Sequence, residues 1–257
     1  MRFGMVFLSQ VNHVARLDCG SHILVRKTYG DIAAHTGIPV PVARIAIEER
    51  IMEMLGRESF AGFKVPRVLG KGVRHLDLEF IDGLPAIETL SFQSTLDGRS
   101  RWQQLGVGLA QVERSLQARS SELFSGLFSV QSQCARIING IKCGFELVPR
   151  RGESRWVSLG DVGLRNILVA QHATYLLDFE FAHFSRRSRD VGQLVSQLNS
   201  FERNDLALAV EGGYLSVVPE ASMDLSFWKA AFFQYYEKKK WKKLGSFGRD
   251  TQEVGLI

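Results

Sequence analysis

The first third of the chain alternates short apolar runs with polar breaks, which is a strand-like pattern. Met5–Leu8, Val14–Leu17 and His22–Lys27 are the first three runs, and Asp18-Cys19-Gly20-Ser21 has the composition of a hairpin turn. Pro39 and Pro41 mark a loop, after which the spacing changes. Ile45, Ile47, Ile51, Met52 and Leu55 recur at helical intervals with Glu48, Glu49 and Arg50 among them. This predicts an amphipathic helix over 42–55, stopped by Gly56. Two more strands are expected at Val65–Gly70 and Leu76–Ile81, and Asp82-Gly83-Leu84-Pro85 then breaks the pattern as a hinge.

Beyond the hinge the character is helical. Trp102, Leu105, Leu109, Val112 and Leu116 lie on one face of a long helix. Residues 120–155 are polar and without a clear period. Ile167–Val169 and Thr174–Leu177 read as two compact strands, followed by helices over Asp190–Phe201, Asp205–Leu215 and Leu225–Leu244. A sheet-rich first third before a helix-rich remainder predicts an α+β chain in two lobes, residues 1–81 and 82–257.

Composition narrows the class. The 257 residues are 45% hydrophobic and 23% charged with six prolines, which excludes a collagen-like, mucin-like or disordered chain. The net charge of +5 suits anionic ligands such as nucleotides without demanding a nucleic acid. Three cysteines without metal-ligand spacing point to reduced thiols and a cytoplasmic location. No apolar run reaches the length of a membrane span, and Phe3–Leu8 is too short for a signal peptide's apolar region. The basic run Lys238–Lys243 fits a helix C-terminus, with nucleic-acid binding or peripheral membrane contact as the rival readings.

The chemistry concentrates in one segment. Gly160-Asp161 is followed by Asn166-Ile167-Leu168-Val169, and the next strand ends in Asp178-Phe179-Glu180. A tight loop between strands can turn a carboxylate, an amide and a second carboxylate toward one cleft. That trio suits phosphoryl transfer, because one carboxylate handles the nucleophile's proton while the other hard oxygens hold Mg²⁺.

The pattern Gly-Asp-x4-Asn-Ile-Leu-Val, a strand, then Asp-Phe-Glu resembles the aminoglycoside phosphotransferases and choline kinases, small-molecule kinases with the protein-kinase-like fold. The resemblance runs in order from about Ser9 to Leu198. It implies Asp161 as catalytic base, Asn166 and Asp178 as Mg²⁺ ligands, and Asp190 as a brace for the loop. It places a phosphate-binding cation at the end of the third strand, where alternation lets only one of Arg26 and Lys27 face the cleft. Glu48 matches the helix carboxylate that pairs with this cation, and Glu49 is its equal by charge alone. Leu78 to Gly83, with Glu79 and Ile81, resemble the hinge whose backbone meets the adenine, and Ser9 or Asn12 would reach phosphate.

Three positions depart from the pattern: Leu159 stands where the family has His, Ser9–His13 lacks glycine, and Glu180 replaces the protein-kinase Gly. The last favours a small-molecule kinase. The implied activity is Mg²⁺-dependent transfer of the γ-phosphoryl of ATP or GTP to a hydroxyl of an antibiotic, nucleoside, sugar or amino alcohol. A lipopolysaccharide-core sugar kinase and a catalytically silent binding module are the alternatives. The arginines of Ser185–Arg189 read either as an anion-attracting rim or as a solvated loop.

Overall fold

The computed structural model describes residues 3–8, 12–20, 22–30, 41–93, 96–127, 132, 134, 135 and 156–244. Ser9 and Cys143 lie outside these residues, as do the side chains of Lys238–Lys243. The fold is α+β in two lobes. The first is an antiparallel sheet of β1 (Phe3–Leu8), β2 (Asn12–Asp18), β3 (Ile23–Tyr29), β4 (Val68–Lys71) and β5 (His75–Glu79), in the order β1-β2-β3-β5-β4. The expected hairpin joins β2 to β3, with the Gly20 N–H donating to Asp18 Oδ1 at 2.9 Å.

Helix α1 (Pro41–Gly56) crosses between β3 and β4 and packs on β3, β4 and β5. Ile45, Ile47, Ile51, Met52 and Leu55, the residues that predict it, are all buried. Removing these side chains from water is the main local drive for docking the helix, at about 1.5–3 kcal/mol for each fully buried aliphatic side chain.

The break at Asp82–Pro85 takes a different form from a bare hinge. Gly83–Pro85 is a short strand, β6, antiparallel to β8 (Ile167–Ala170), which pairs in turn with β9 (Thr174–Leu176). Turn-forming residues mask this strand because it is defined by a partner more than eighty residues away, not by local alternation. A second small sheet, β7 (Trp156–Ser158) with β10 (His183–Ser185), has no signal in the pattern, since three residues are too few to show a period.

The helices of the second lobe are α2 (Ala86–Thr89), α3 (Leu96–Ala118), α4 (Ser120–Leu123), α5 (Arg189–Ser200), α6 (Asn204–Val217) and α7 (Ser222–Leu244). Helix α3 begins earlier than the apolar spacing predicts because its first turn is polar. It packs closely on α6: a Cβ on Gly106 would lie 2.1 Å from the Val210 carbonyl oxygen, so only glycine permits this approach. Helix α7 packs on α5 and buries Trp228, Phe232 and Tyr236, while Phe233 faces solvent. Among the described residues no helix is long and apolar enough to cross a membrane. Cys19 and Cys134 are free thiols.

Candidate active site

Strand alternation separates Arg26 from Lys27. Arg26 pairs with its cross-strand neighbour Asp77 through Nε at 2.7 Å and Nη2 at 2.8 Å, on the partly exposed face of the sheet. Lys27 points the other way and is buried. Its ammonium lies 2.6 Å from Glu48 Oε2 and 2.7 Å from Asp178 Oδ1. Tyr29, two residues along on the same face, donates its hydroxyl to Glu48. The adjacent Glu49 binds Lys71 of β4, so of the two glutamates only Glu48 reaches this cluster.

Helix periodicity adds a second cation. Arg44 lies one turn before Glu48, and its guanidinium binds Glu180 Oε2 at 2.7 Å, Asn12 Oδ1 at 3.2 Å and the Gly30 carbonyl at 2.6 Å. Asn12 donates to Glu180 Oε1 at 2.7 Å. The Asn12 side chain, expected at phosphate, is therefore held inside a buried Arg44–Glu180 pair. Glu48, Asp178 and Glu180 bring carboxylate oxygens within 4.8 Å of one another, and Lys27 and Arg44 offset two of their three charges.

The electrostatics follow from burial and proximity. Burial alone would lower the pKa of Lys27, but Asp178 and Glu48 outweigh it and hold the ammonium charged. Burial raises Glu180 to about 7; Asp178 and Glu48 add to the rise, and Lys27 and Arg44 oppose it. Asp178 is the member that meets solvent, with a side chain 33% exposed against 1% for Glu48 and 8% for Lys27. Its backbone is left-handed (φ 69°), a conformation that costs a non-glycine residue about 1 kcal/mol or more.

The Asp161 loop is held by one face of α5. Asp190 accepts from Ser158 Oγ at 2.6 Å and from the Leu159 N–H at 2.7 Å. Arg189 donates to the Gly160 carbonyl at 2.9 Å, and Gln193 donates to Asp161 Oδ1 at 2.7 Å. One turn further, Gln197 accepts from the Leu164 N–H at 2.8 Å. Gly160 is obligatory twice over: its φ is +98°, and a Cβ there would sit 2.5 Å from the Phe181 carbonyl. Leu159, where the resemblance expects His, is buried in the core.

Asn166 and Asp178 are brought together by the β8–β9 hairpin. The Leu177 N–H donates to the Asn166 carbonyl at 2.9 Å, which sets the start of one strand beside the end of the other. Asn166 Nδ2 donates to the Asp161 carbonyl at 3.0 Å and ties the amide to the loop. Its oxygen and the partly exposed Asp178 carboxylate are hard donors that fit Mg²⁺.

Other expected residues lie apart. Glu79 ends β5 with its carboxylate on the Arg67 N–H and guanidinium, and Ile81 lies in the link to β6. Of the arginines after Ser185, Arg186 is exposed, 4.0 Å from Asp224, whereas the other two are buried and paired. Arg187 is buried against Glu113 and Glu220, and Arg189 against the loop. Tyr29, Arg44, Gln193 and Glu180's buried pairing were not assigned from the chain. The one available signal was Arg44, which lies on the helix face of Glu48.

No family model matches the sequence, and no curated protein is similar to it. Solved structures are similar in fold. An ethanolamine kinase of Plasmodium vivax superposes with a TM-score of 0.58 at 12% identity, over 91% of this chain and 73% of that one. A ternary complex of streptomycin, ATP and APH(2")-IIa gives 0.51 at 12% identity, over 89% of this chain and 84% of that one. The fold is kinase-like. In this kinase-like fold the Lys27 cluster lies where the five-stranded sheet meets the Asp178 segment, and the Asp161 loop lies on the helical side.

Proposed function

We propose that the chain is a small-molecule kinase that moves the γ-phosphoryl of ATP or GTP to a hydroxyl. The observation that carries this reading is Lys27, bound at once to Glu48 and to the partly exposed Asp178. A buried cation fixed beside an accessible carboxylate is suited to gripping anionic phosphates next to a metal site. Residues 1–81 would carry the nucleotide and 82–257 the loop, metal site and acceptor pocket, in a cytoplasmic protein.

The geometry supports the following roles. Asp178 and Asn166 would hold Mg²⁺, which supplies charge neutralisation on the phosphates when bound. Lys27, positioned by Glu48, contacts the phosphates, while Arg26 stays on Asp77. Asp161, oriented by Gln193, accepts the proton of the acceptor hydroxyl. That oxygen bonds to the γ-phosphorus as the bond to the β-phosphate oxygen breaks, leaving a phosphate ester and ADP or GDP. Most of the catalysis is positioning and electrostatic stabilisation.

Thermal unfolding with ATP and with GTP, with and without Mg²⁺, tests the reading. A ligand at a hundred times its Kd adds about 2.7 kcal/mol, a Tm rise of roughly 5–10 °C for a chain of this size. A Mg²⁺-dependent rise in the wild type that is absent in Asp178→Ala is expected. No shift with either nucleotide at millimolar concentration refutes it.

A further inference from the structure

A cavity of about 570 Å³ lies where the end of α1, the segment before β4, the start of α3 and the β8–β9 turn meet. It contains none of the residues of the Lys27 cluster or the Asp161 loop. Its volume is in the range of small-molecule sites. Its charge is one-sided. The cations Lys64, Arg67 and Arg101 line it, and Glu58 is the single carboxylate among the described lining residues. Glu58 is already paired with Arg119 at 2.6 Å and accepts from Ser115.

The cations are not matched in the same way. Among the described residues Lys64 has no carboxylate in reach, and Arg101 makes only a 3.3 Å bond to the Ala170 carbonyl. Arg67 is 76% exposed and holds Glu79 loosely at 3.4 Å. The remaining wall is apolar, with Leu55, Val65 and the stacked rings of Phe60 and Phe63, 5.7 Å between centroids. Thr174 adds a buried hydroxyl that has no hydrogen-bond partner among the described residues.

We propose that this cavity is a second ligand site, separate from the phosphotransfer site, for a small organic anion. The ligand has an apolar, preferably aromatic, body against Phe60 and Phe63 and a phosphate, sulfonate or carboxylate facing Lys64 and Arg101. The site sits on the strand that runs into Asp178: the Lys64 N–H donates to the Thr174 carbonyl at 2.8 Å, and the Leu176 N–H to the Lys64 carbonyl at 2.9 Å. It does not depend on the kinase reading, since it uses none of those residues.

The probe is 8-anilinonaphthalene-1-sulfonate, an aromatic anion whose fluorescence rises on binding. It is titrated into the wild type, Lys64→Glu/Arg101→Glu, Asp178→Asn and the control Arg16→Glu. Binding at least tenfold weaker in the double variant, and within twofold of wild type in the other two, is the expected result. Equal affinity in all four, or loss in Asp178→Asn alone, overturns the proposal. If the double variant fails to fold, uncharged N-phenyl-1-naphthylamine on the wild type decides the matter. Binding at least tenfold weaker than the sulfonate supports recognition of the charge, and equal binding overturns it.

Discussion

Four segments meet around Lys27, and two of them bring its charged partners and the second cation: Glu48 and Arg44 from α1, Asp178 and Glu180 from the segment after β9. The Asp161 loop is held by a single helix, largely through amide and hydroxyl groups, with Asp190 and Arg189 as its charged supports. The first arrangement joins residues 151 and 136 positions apart, the second residues about 30 apart. A buried charge is tolerated only with its partner, so removing one member of the cluster strands another. A loop braced by hydrogen bonds loses them one at a time. The cluster should therefore fail as a unit and the loop by degrees.

The largest expected effect is on turnover. Asp178→Asn keeps the volume but removes the accessible charge, and phosphoryl transfer should fall by about three orders of magnitude in single-turnover assays. A loss below tenfold breaks the assignment of Asp178 to the reacting phosphates. Next comes Glu48→Ala, which leaves the Tyr29 hydroxyl and one side of Lys27 without a partner. It should destabilise the fold by about 3–5 kcal/mol, lowering Tm by roughly 10 °C. A change in Tm under about 2 °C would show that the cluster is not cooperative.

On the loop side, Asp190→Asn weakens two charge-assisted bonds, to Ser158 Oγ and to the Leu159 N–H. About 1–2 kcal/mol of stability should go, measured by urea unfolding, with a larger proportional loss of turnover as Asp161 moves. If stability falls as far as in Glu48→Ala, the contrast between the two regions does not hold.

His183, paired with Ser158 across β10 and β7, sharpens the same contrast through pH. Burial, with Arg189 adding to it, depresses its pKa to about 3. The unfolded chain takes up a proton near pH 6.5 while the folded chain does not. Stability is therefore unaffected above about pH 6.5 and is lost as pH falls from there toward 3, by up to about 1.4 kcal/mol per pH unit. His183→Asn should remove that slope from the acid limb of the stability curve. The smallest effect belongs to Arg26→Ala: its pair with Asp77 is partly exposed, and at most about 1 kcal/mol should be lost, with turnover unchanged.

The legible parts were those with a period or a local motif. Buried apolar spacing located α1, α3 and the last three helices, and Gly160-Asp161 through Asp178 located the loop and the β8–β9 hairpin. The three-residue strands β7 and β10 escaped because they have neither a period nor a neighbouring motif, and β6 looked like a turn because its partner is distant. Alternation showed that Arg26 and Lys27 must part company but not which faces inward. Charge alone left Glu48 and Glu49 equal, and the Lys71 partner of Glu49 is what separates them.

By itself the sequence determined the α+β order of elements, the apolar faces and the residue types at the loop and its two acidic neighbours. These depend on local spacing and backbone sterics, which one chain carries within a few residues. Only the tertiary structure decided that Lys27 joins Glu48 and Asp178, that Asn12 is held by Arg44 and Glu180, and that Arg187 and Arg189 are buried in pairs. A buried charge must find its counter-charge wherever the fold brings one within about 3 Å. Which of many candidate partners that is depends on how distant elements pack, and no local pattern records it.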